Sequence, residues 1–186
     1  MLFRSHKLDH AKISNKVALN PLLLGLEFDD SNQFSLPHKW FLYGVVYDKK
    51  FFNTTPDHMS LNYVFQDPEA LSAQHVVPSP YKVCMIDSPL DAYFLASLFK
   101  GGTANVNNPE HLSPSLIAQK KWVECYTLYS IEYFLFKDIV PIALTSSNFM
   151  RKIWDEDKRF DFAVPREGGI LVVENLVIPQ KSKRVN

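Results

Sequence analysis

"YKVCMIDSPLDAYFLASLFKGG", residues 81–102, is the stretch that decides the fold. The uninterrupted apolar run VCMI at 83–86 predicts a strand that is covered on both faces. Ser88 then suits the N-cap of a helix and Pro89 its first position, while Gly101 suits the residue just past its end. This stretch therefore predicts a buried strand followed directly by a capped helix.

Asp87 lies at the junction of this strand and helix, where many α/β enzymes place a catalytic carboxylate. The position also has a structural explanation, because a carboxylate ahead of the first helical turn interacts favourably with the positive end of the helix dipole. The sequence identifies no catalytic partner for it. We therefore interpret Asp87 as a helix-end residue and keep it as a catalytic candidate.

The rest of the chain predicts further elements of both kinds. The apolar pattern predicts a turn-containing extended segment at 17–28, strands at 40–48, 62–66 and 139–144, and helices at 113–137 and 148–158. Residues 160–164 and 170–178 are joined by a glycine-containing loop, which predicts an antiparallel hairpin. We expect a mixed α/β (α+β) fold: a single domain at 1–180, with a twisted sheet, this C-terminal hairpin and two or three packed helices, followed by a basic, flexible tail at 181–186.

Composition limits the classes of partner. The chain has 186 residues, of which 46% are hydrophobic and 13% aromatic, and this is the composition of one globular domain. Lys plus Arg and Asp plus Glu number 20 each, and the basic pairs are scattered, which argues against a nucleic-acid-binding protein. A nucleic-acid-associated role stays a third hypothesis, based on the paired lysines.

The cysteines and the apolar runs predict a compartment. Cys84 and Cys125 form no CxxC pair, which is typical of a reducing compartment and argues against a disulfide scaffold. The first ten residues lack the apolar core of a signal peptide, and no apolar run approaches the roughly 18 residues of a membrane span. We expect a soluble cytoplasmic protein that does not contact a membrane.

Metal and nucleotide sites find little support. His6 and His10 are spaced for one helix face, but no third ligand follows at a standard spacing. The sequence KGGT at 100–103 lacks the order of a P-loop and follows a helix where a P-loop precedes one. We therefore predict no metal and no cofactor.

Two functions remain in competition. The leading hypothesis is a non-catalytic intracellular accessory protein of the immunity, inhibitor or complex-subunit type, which binds another protein through Tyr126, Tyr129 and Tyr133 on the predicted long helix. The alternative is a small hydrolase or transferase that uses Asp87 with a histidine, either His58 or His111.

Overall fold

The computed structural model describes residues 5–102, 116, 119–127 and 130–183. In this part of the chain six strands form one sheet: β1 Ser35–Asp48, β2 Val83–Met85, β3 Val123–Tyr126, β4 Ile142–Ser146, β5 Phe160–Ala163 and β6 Ile170–Val177. The α-helices are α1 Lys49–Phe52, α2 Asn62–Phe65, α3 Pro68–Ala73, α4 Pro89–Phe99, α5 Ile131–Phe136 and α6 Ser147–Glu156. Short 3₁₀ turns lie at His10–Lys12, Ser14–Ala18, Pro21–Leu23 and Pro56–His58.

The sheet is mixed, with the strand order β3-β2-β4-β1-β5 and with β6 also paired to β1. Strand β2 runs parallel to both β3 and β4, whereas β1 runs antiparallel to β4 and β5. Helices pack on this sheet, so the predicted mixed α/β class is confirmed.

Contacts between residues divide the chain into two compact units. Unit 1 combines Met1–Phe41 with Val172–Asn186, and unit 2 is the continuous segment Leu42–Leu171. In unit 1, the Asp29 carboxylate accepts hydrogen bonds from three consecutive backbone N–H groups and from the Ser35 hydroxyl. Burial acts to raise the pKa of Asp29, but these hydrogen bonds outweigh it and hold that pKa below its usual value.

Two apolar clusters cover opposite faces of the sheet in unit 2. Val45 and Tyr47 of β1 belong to one cluster with residues of α4, while Val46 belongs to the other with residues of α5 and α6. This alternation follows from the strand period of two. Strands β2 and β4 are therefore buried on both faces, as the continuous apolar run at 83–86 predicts for β2.

The predicted strand–helix junction is confirmed. Strand β2 is fully buried, and α4 begins at Pro89 with Ser88 as its N-cap. The Ser88 hydroxyl oxygen accepts the N–H of Asp91 at 3.4 Å. Gly101 has a φ of +77°, the left-handed backbone expected just past a helix end.

The C-terminal strands differ from the predicted hairpin, since β5 and β6 each pair with β1. The loop between them is held by another part of unit 2: the Glu167 carboxylate accepts hydrogen bonds from the Ser60 hydroxyl at 2.5 Å and from the Leu61 N–H at 2.9 Å. The Arg166 N–H also donates to the Met59 carbonyl at 3.0 Å. These contacts hold the loop so that β6 pairs with β1 and not with β5.

The long helix predicted over 113–137 is wrong. Residues 123–126 form strand β3, and the helical part of the aromatic run is limited to α5. Residues 103–115 lie outside the described part of the chain. The sequence VECY alternates half-buried and exposed side chains, as a strand at the edge of a sheet does.

Three shorter predictions also need correction. Residues 62–65 are helical, not extended, because the backbone N–H groups of Phe65 and Gln66 bond back to the preceding turn. Residues 17–28 contain 3₁₀ turns, one of which begins at Pro21 with Asn20 as its cap. The strand predicted at 139–144 is β4, Ile142–Ser146, which begins after Pro141 and lies inside the sheet.

Gly44 provides a test of the β1–β5 pairing. A Cβ atom built on Gly44 lies 2.4 Å from the Ala163 carbonyl oxygen and 2.7 Å from Cζ of Phe162. We expect Gly44→Ala to lower the free energy of unfolding by about 1–3 kcal/mol, because a backbone oxygen in a sheet cannot move aside freely. Urea denaturation measures this change, and an unchanged midpoint contradicts the close approach.

Glu167 provides a test of the loop that replaces the hairpin. Burial acts to raise the pKa of Glu167, but hydrogen bonds from Ser60 and Leu61 outweigh it and lower that pKa. A carboxylate with a lowered folded pKa stabilises the fold above its unfolded pKa, and this stability is lost as the pH falls through the folded value. We expect Glu167→Gln to cost about 1 kcal/mol near neutral pH and to flatten the loss of stability that occurs as the pH falls below the unfolded pKa of a glutamate.

Urea denaturation at several pH values measures both effects. The matched control is Glu124→Gln, which removes a carboxylate from an exposed position on β3. Parallel stability curves for Glu167→Gln and the unchanged protein contradict the anchoring role of this carboxylate.

Candidate functional site

The carboxyl ends of the parallel strands meet at one edge of the sheet in unit 2. Strands β2, β3 and β4 are mutually parallel through β2, and they end at Met85, Tyr126 and Ser146. Open α/β sheets bind ligands in the crevice just beyond these ends. This edge is therefore where a binding site is expected.

A cavity of about 240 Å³ lies beyond the ends of β2 and β3. It contains one carboxylate, one ammonium group and one phenol ring, supported by apolar side chains. Its lining residues are Met85, Ile86, Asp87, Ser88, Pro89, Ala92, Leu116, Gln119, Lys120 and Tyr126.

The β2 side of this cavity is acidic. Asp87 follows β2 and is exposed, and Asp91 lies in the first turn of α4. The backbone N–H of Asp91 donates to Ser88, so this turn is ordered by its cap. Of these two carboxylates, that of Asp87 belongs to a residue that lines the cavity.

The β3 side combines an aromatic ring with an ammonium group. The Tyr126 side chain is 53% exposed, although it lies at the end of a strand. Lys120 lines the same cavity from the segment that precedes β3. The buried Gln119 beside it is fixed by a hydrogen bond from its amide nitrogen to the Val64 carbonyl at 3.2 Å.

A disulfide joins these two sides. Cys84 of β2 and Cys125 of β3 are register partners, with 5.0 Å between their Cα atoms, and their sulfur atoms are bonded. The predictions that the cysteines remain reduced and that Cys125 lies in a helix are therefore wrong. The spacing of the two residues in sequence carries no sign of this bond, because adjacent parallel strands bring distant residues together.

The structure does not bring the catalytic candidates together. Asp87 lines the cavity, whereas the exposed His58 lies in a 3₁₀ turn, where its Nδ1 is 2.9 Å from the Thr55 hydroxyl oxygen. His58 is not among the cavity-lining residues. His111 lies outside the described residues.

The tyrosines predicted to form a stripe lie on different elements. Tyr126 ends β3 and Tyr133 lies on α5, and both side chains are exposed. Tyr129 lies outside the described residues. Of the two described tyrosines, Tyr126 lines the cavity, and the prediction of a long helix gave no sign of its position at a strand end.

A larger cavity of about 350 Å³ lies at the opposite, amino end of β2 and β3. Acidic and basic side chains both line it, and the ammonium group of Lys82 already donates to the Lys121 carbonyl at 2.7 Å. We favour the smaller cavity because it lies at the carboxyl ends of parallel strands and because its exposed groups are less internally paired.

Among the described residues, His6 and His10 near the N-terminus are not part of a group that could hold a metal ion. His10 uses its Nε2 atom in a hydrogen bond with the Asn32 carbonyl at 2.9 Å. Across residues 5–102, 116, 119–127 and 130–183, no group of three or more His, Cys, Asp or Glu side chains is arranged to hold a metal ion.

Comparison with known proteins gives the chain a context. No protein-family model matches it. Over 190 aligned residues it is 25% identical to the putrescine/cadaverine-binding protein of Pseudomonas aeruginosa, and the match covers 95% of this chain and 51% of that protein. The chain thus spans about half the length of the curated relative it matches.

Solved structures have the same fold. A putative spermidine/putrescine ABC transporter protein from Listeria monocytogenes superposes with a TM-score of 0.78 at 24% identity, over 97% of this chain and 53% of that one. The TpPotD lipoprotein of Treponema pallidum superposes with a TM-score of 0.79 at 15% identity, over 97% and 56%. The fold of the chain is that of a fragment of a periplasmic-binding-protein-like structure.

These findings correct the predicted function, partner and location. One similar protein is named as a putrescine/cadaverine-binding protein, one as a spermidine/putrescine ABC transporter and one as a lipoprotein. The prediction of an intracellular accessory protein that binds another protein and has no relation to a membrane is wrong, as is the cytoplasmic location. Composition misled here because a neutral, aromatic-rich chain suits a solute-binding fold as well as a protein-binding one.

None of the described helices combines the length and the apolar character that crossing a membrane requires.

Asp87 allows a test that separates a cavity group from a structural one. We expect Asp87→Asn to retain the fold and to lower the free energy of unfolding by at most about 1 kcal/mol, because the residue is exposed and loses only a favourable interaction with the dipole of α4. Thermal or urea denaturation measures the change. Asp91→Asn is the matched control, since it removes a carboxylate from the same helix end. A loss of several kcal/mol on Asp87→Asn alone contradicts this interpretation.

Proposed function

We propose that the chain is part of an extracytoplasmic solute-binding protein of an ABC transporter and that its solute is a small aliphatic diamine. The observation that carries the proposal is the cavity at the carboxyl ends of β2 and β3, where the Asp87 carboxylate and the Tyr126 ring are both available. The match to a putrescine/cadaverine-binding protein along 95% of the chain supports it.

The cavity has the chemistry that a diamine requires. An alkyl ammonium group pairs with a carboxylate, and an aromatic face attracts a cation by its quadrupole. The apolar side chains of Ile86 and Ala92 suit the methylene groups between the two charges. The cavity volume, about 240 Å³, suits a solute smaller than a typical drug molecule.

The disulfide supports the proposed compartment. Disulfides persist in oxidising environments such as the periplasm and the cell surface and are rare in the cytosol. The Cys84–Cys125 bond therefore fits an extracytoplasmic protein.

The chain spans about half of its relatives' length, so we propose that the cavity of unit 2 is only part of the solute site. The cavity of unit 2 provides one set of contacts to the solute, and the remaining length of such a protein provides the others. The 186-residue chain alone is therefore expected to bind weakly, with a Kd near the millimolar range.

Lys120 favours a second candidate, a solute that has a carboxylate in place of one amine. Its ammonium group opposes a dication in the cavity but pairs with a carboxylate. Putrescine and 4-aminobutyrate separate the two candidates, because they have the same number of carbon atoms and differ at one end only.

The test is calorimetric or NMR titration of the chain with both solutes. We expect putrescine to bind more tightly than 4-aminobutyrate, Asp87→Asn to weaken putrescine about tenfold, and Lys120→Gln to strengthen it, because removing a like charge lowers repulsion. His58→Gln, which alters a side chain outside the cavity lining, is the control that leaves the affinity unchanged. Preferred binding of 4-aminobutyrate, with its loss in Lys120→Gln, establishes the second candidate and contradicts the first.

A further inference from the structure

Strand β3 holds one wall of the cavity, yet it lies at an edge of the sheet. In the strand order its hydrogen-bonded neighbour is β2. None of its four residues is fully buried: the pattern alternates between half-buried and exposed. Val123 and Cys125 pack against the two apolar clusters, whereas Glu124 and Tyr126 are exposed. The position of the exposed end of this strand therefore depends on bonds to its neighbours.

The two ends of β3 are fixed in different ways. The amino end follows Trp122, whose buried indole N–H donates to the Val64 carbonyl at 3.0 Å and whose carbonyl accepts the Val83 N–H at 3.0 Å. The carboxyl end, which bears Tyr126, is held to β2 by the disulfide at Cys125 and by the Thr127 N–H, which donates to the Met85 carbonyl at 3.0 Å.

The disulfide also lies beside both walls of the cavity. Cys125 directly precedes Tyr126, and Cys84 directly precedes Met85, which lines the cavity and is followed two residues later by Asp87. A covalent bond between these strands thus fixes the separation of the aromatic wall and the acidic wall. Cys84 is completely buried and Cys125 is half-buried.

We propose that the Cys84–Cys125 disulfide is a positioning element of the solute site, which holds the Tyr126 wall in register with the Asp87 wall so that solute affinity requires the oxidised form. The predicted effect on putrescine affinity rests on the proposed function. The structural readout, the order of β3, is independent of any solute.

Reduction by a small dithiol such as dithiothreitol has a simple balance. The protein disulfide takes up two electrons and two protons and becomes two thiols, while the dithiol is oxidised to its cyclic disulfide. The two sulfur atoms then separate to a non-bonded distance. The carboxyl end of β3 keeps its backbone hydrogen bonds but loses its covalent restraint.

The experiment compares three forms of the full chain: oxidised, reduced with dithiothreitol, and the double variant Cys84→Ala, Cys125→Ala. Hydrogen exchange is measured at the amide of Thr127, which donates to the Met85 carbonyl, with the amides of β1 and β4 as the reference for the whole fold. Putrescine affinity is measured on the same three forms.

We expect exchange at Thr127 to accelerate at least tenfold in both forms that lack the disulfide, while β1 and β4 remain protected. We expect putrescine affinity to fall at least tenfold in the same two forms. Unchanged exchange at Thr127 overturns the proposal. Equal loss of protection in β1 and β4 also overturns it, because the disulfide then stabilises the whole fold and has no specific effect on the Tyr126 wall.

The binding readout separates this proposal from the one it rests on. If the oxidised chain binds putrescine and the disulfide-free forms bind it equally well, the positioning role is wrong and the proposed function stands. If the oxidised chain does not bind putrescine, the proposed function fails, and the exchange rates alone decide whether the disulfide orders the Tyr126 wall.

Discussion

The pairing of β1 with β4 is the constraint on which the structure of unit 2 depends. Five residue pairs, from Tyr43–Ser146 to Tyr47–Ile142, join the two strands. Strand β4 then pairs in parallel with β2, and β2 with β3, so the direction of β4 fixes the edge at which all three strands end. A change in the β1–β4 register therefore moves both walls of the cavity.

The close approach at Gly44 shows how little freedom that central pairing has. Gly44 faces Thr145 of β4 in the register, and the Ala163 carbonyl of β5 occupies the space in which a side chain would lie. A residue of β1 is thus in contact with the strand on each side of it. Because β1 is shared by three strands, small residues and buried side chains along it matter more than any single interaction at the edge.

Local rules predicted the strand–helix junction well because its signals are local. The apolar run at 83–86, the Ser88 cap and Pro89 all act within a few residues of each other, and the structure has each where the sequence predicts it. These same rules located Asp87 at the end of a buried strand. They could not show that Tyr126, 39 residues further along the chain, lines the same cavity.

The elements that the sequence predicted wrongly are those decided by distant contacts. The predicted hairpin fails because the Glu167 carboxylate binds Ser60, a residue more than a hundred positions away. The predicted long helix ran through β3, whose sequence VECY is too short for its alternation to stand out beside an aromatic run. The disulfide and the cavity beyond the ends of β2 and β3 both depend on the parallel pairing of these strands, which no local pattern encodes.

The location of the solute is the central claim, and amide chemical-shift mapping tests it most directly. The oxidised, ¹⁵N-labelled chain is titrated with putrescine, and the shifts of its backbone amides are followed. The account predicts that the largest shifts fall at Asp87 and Ser88 after β2 and at Tyr126 and Thr127 at the end of β3. Shifts concentrated instead around Asp67, Lys82 and Lys121, at the amino end of the same strands, would place the solute in the other cavity and contradict the account.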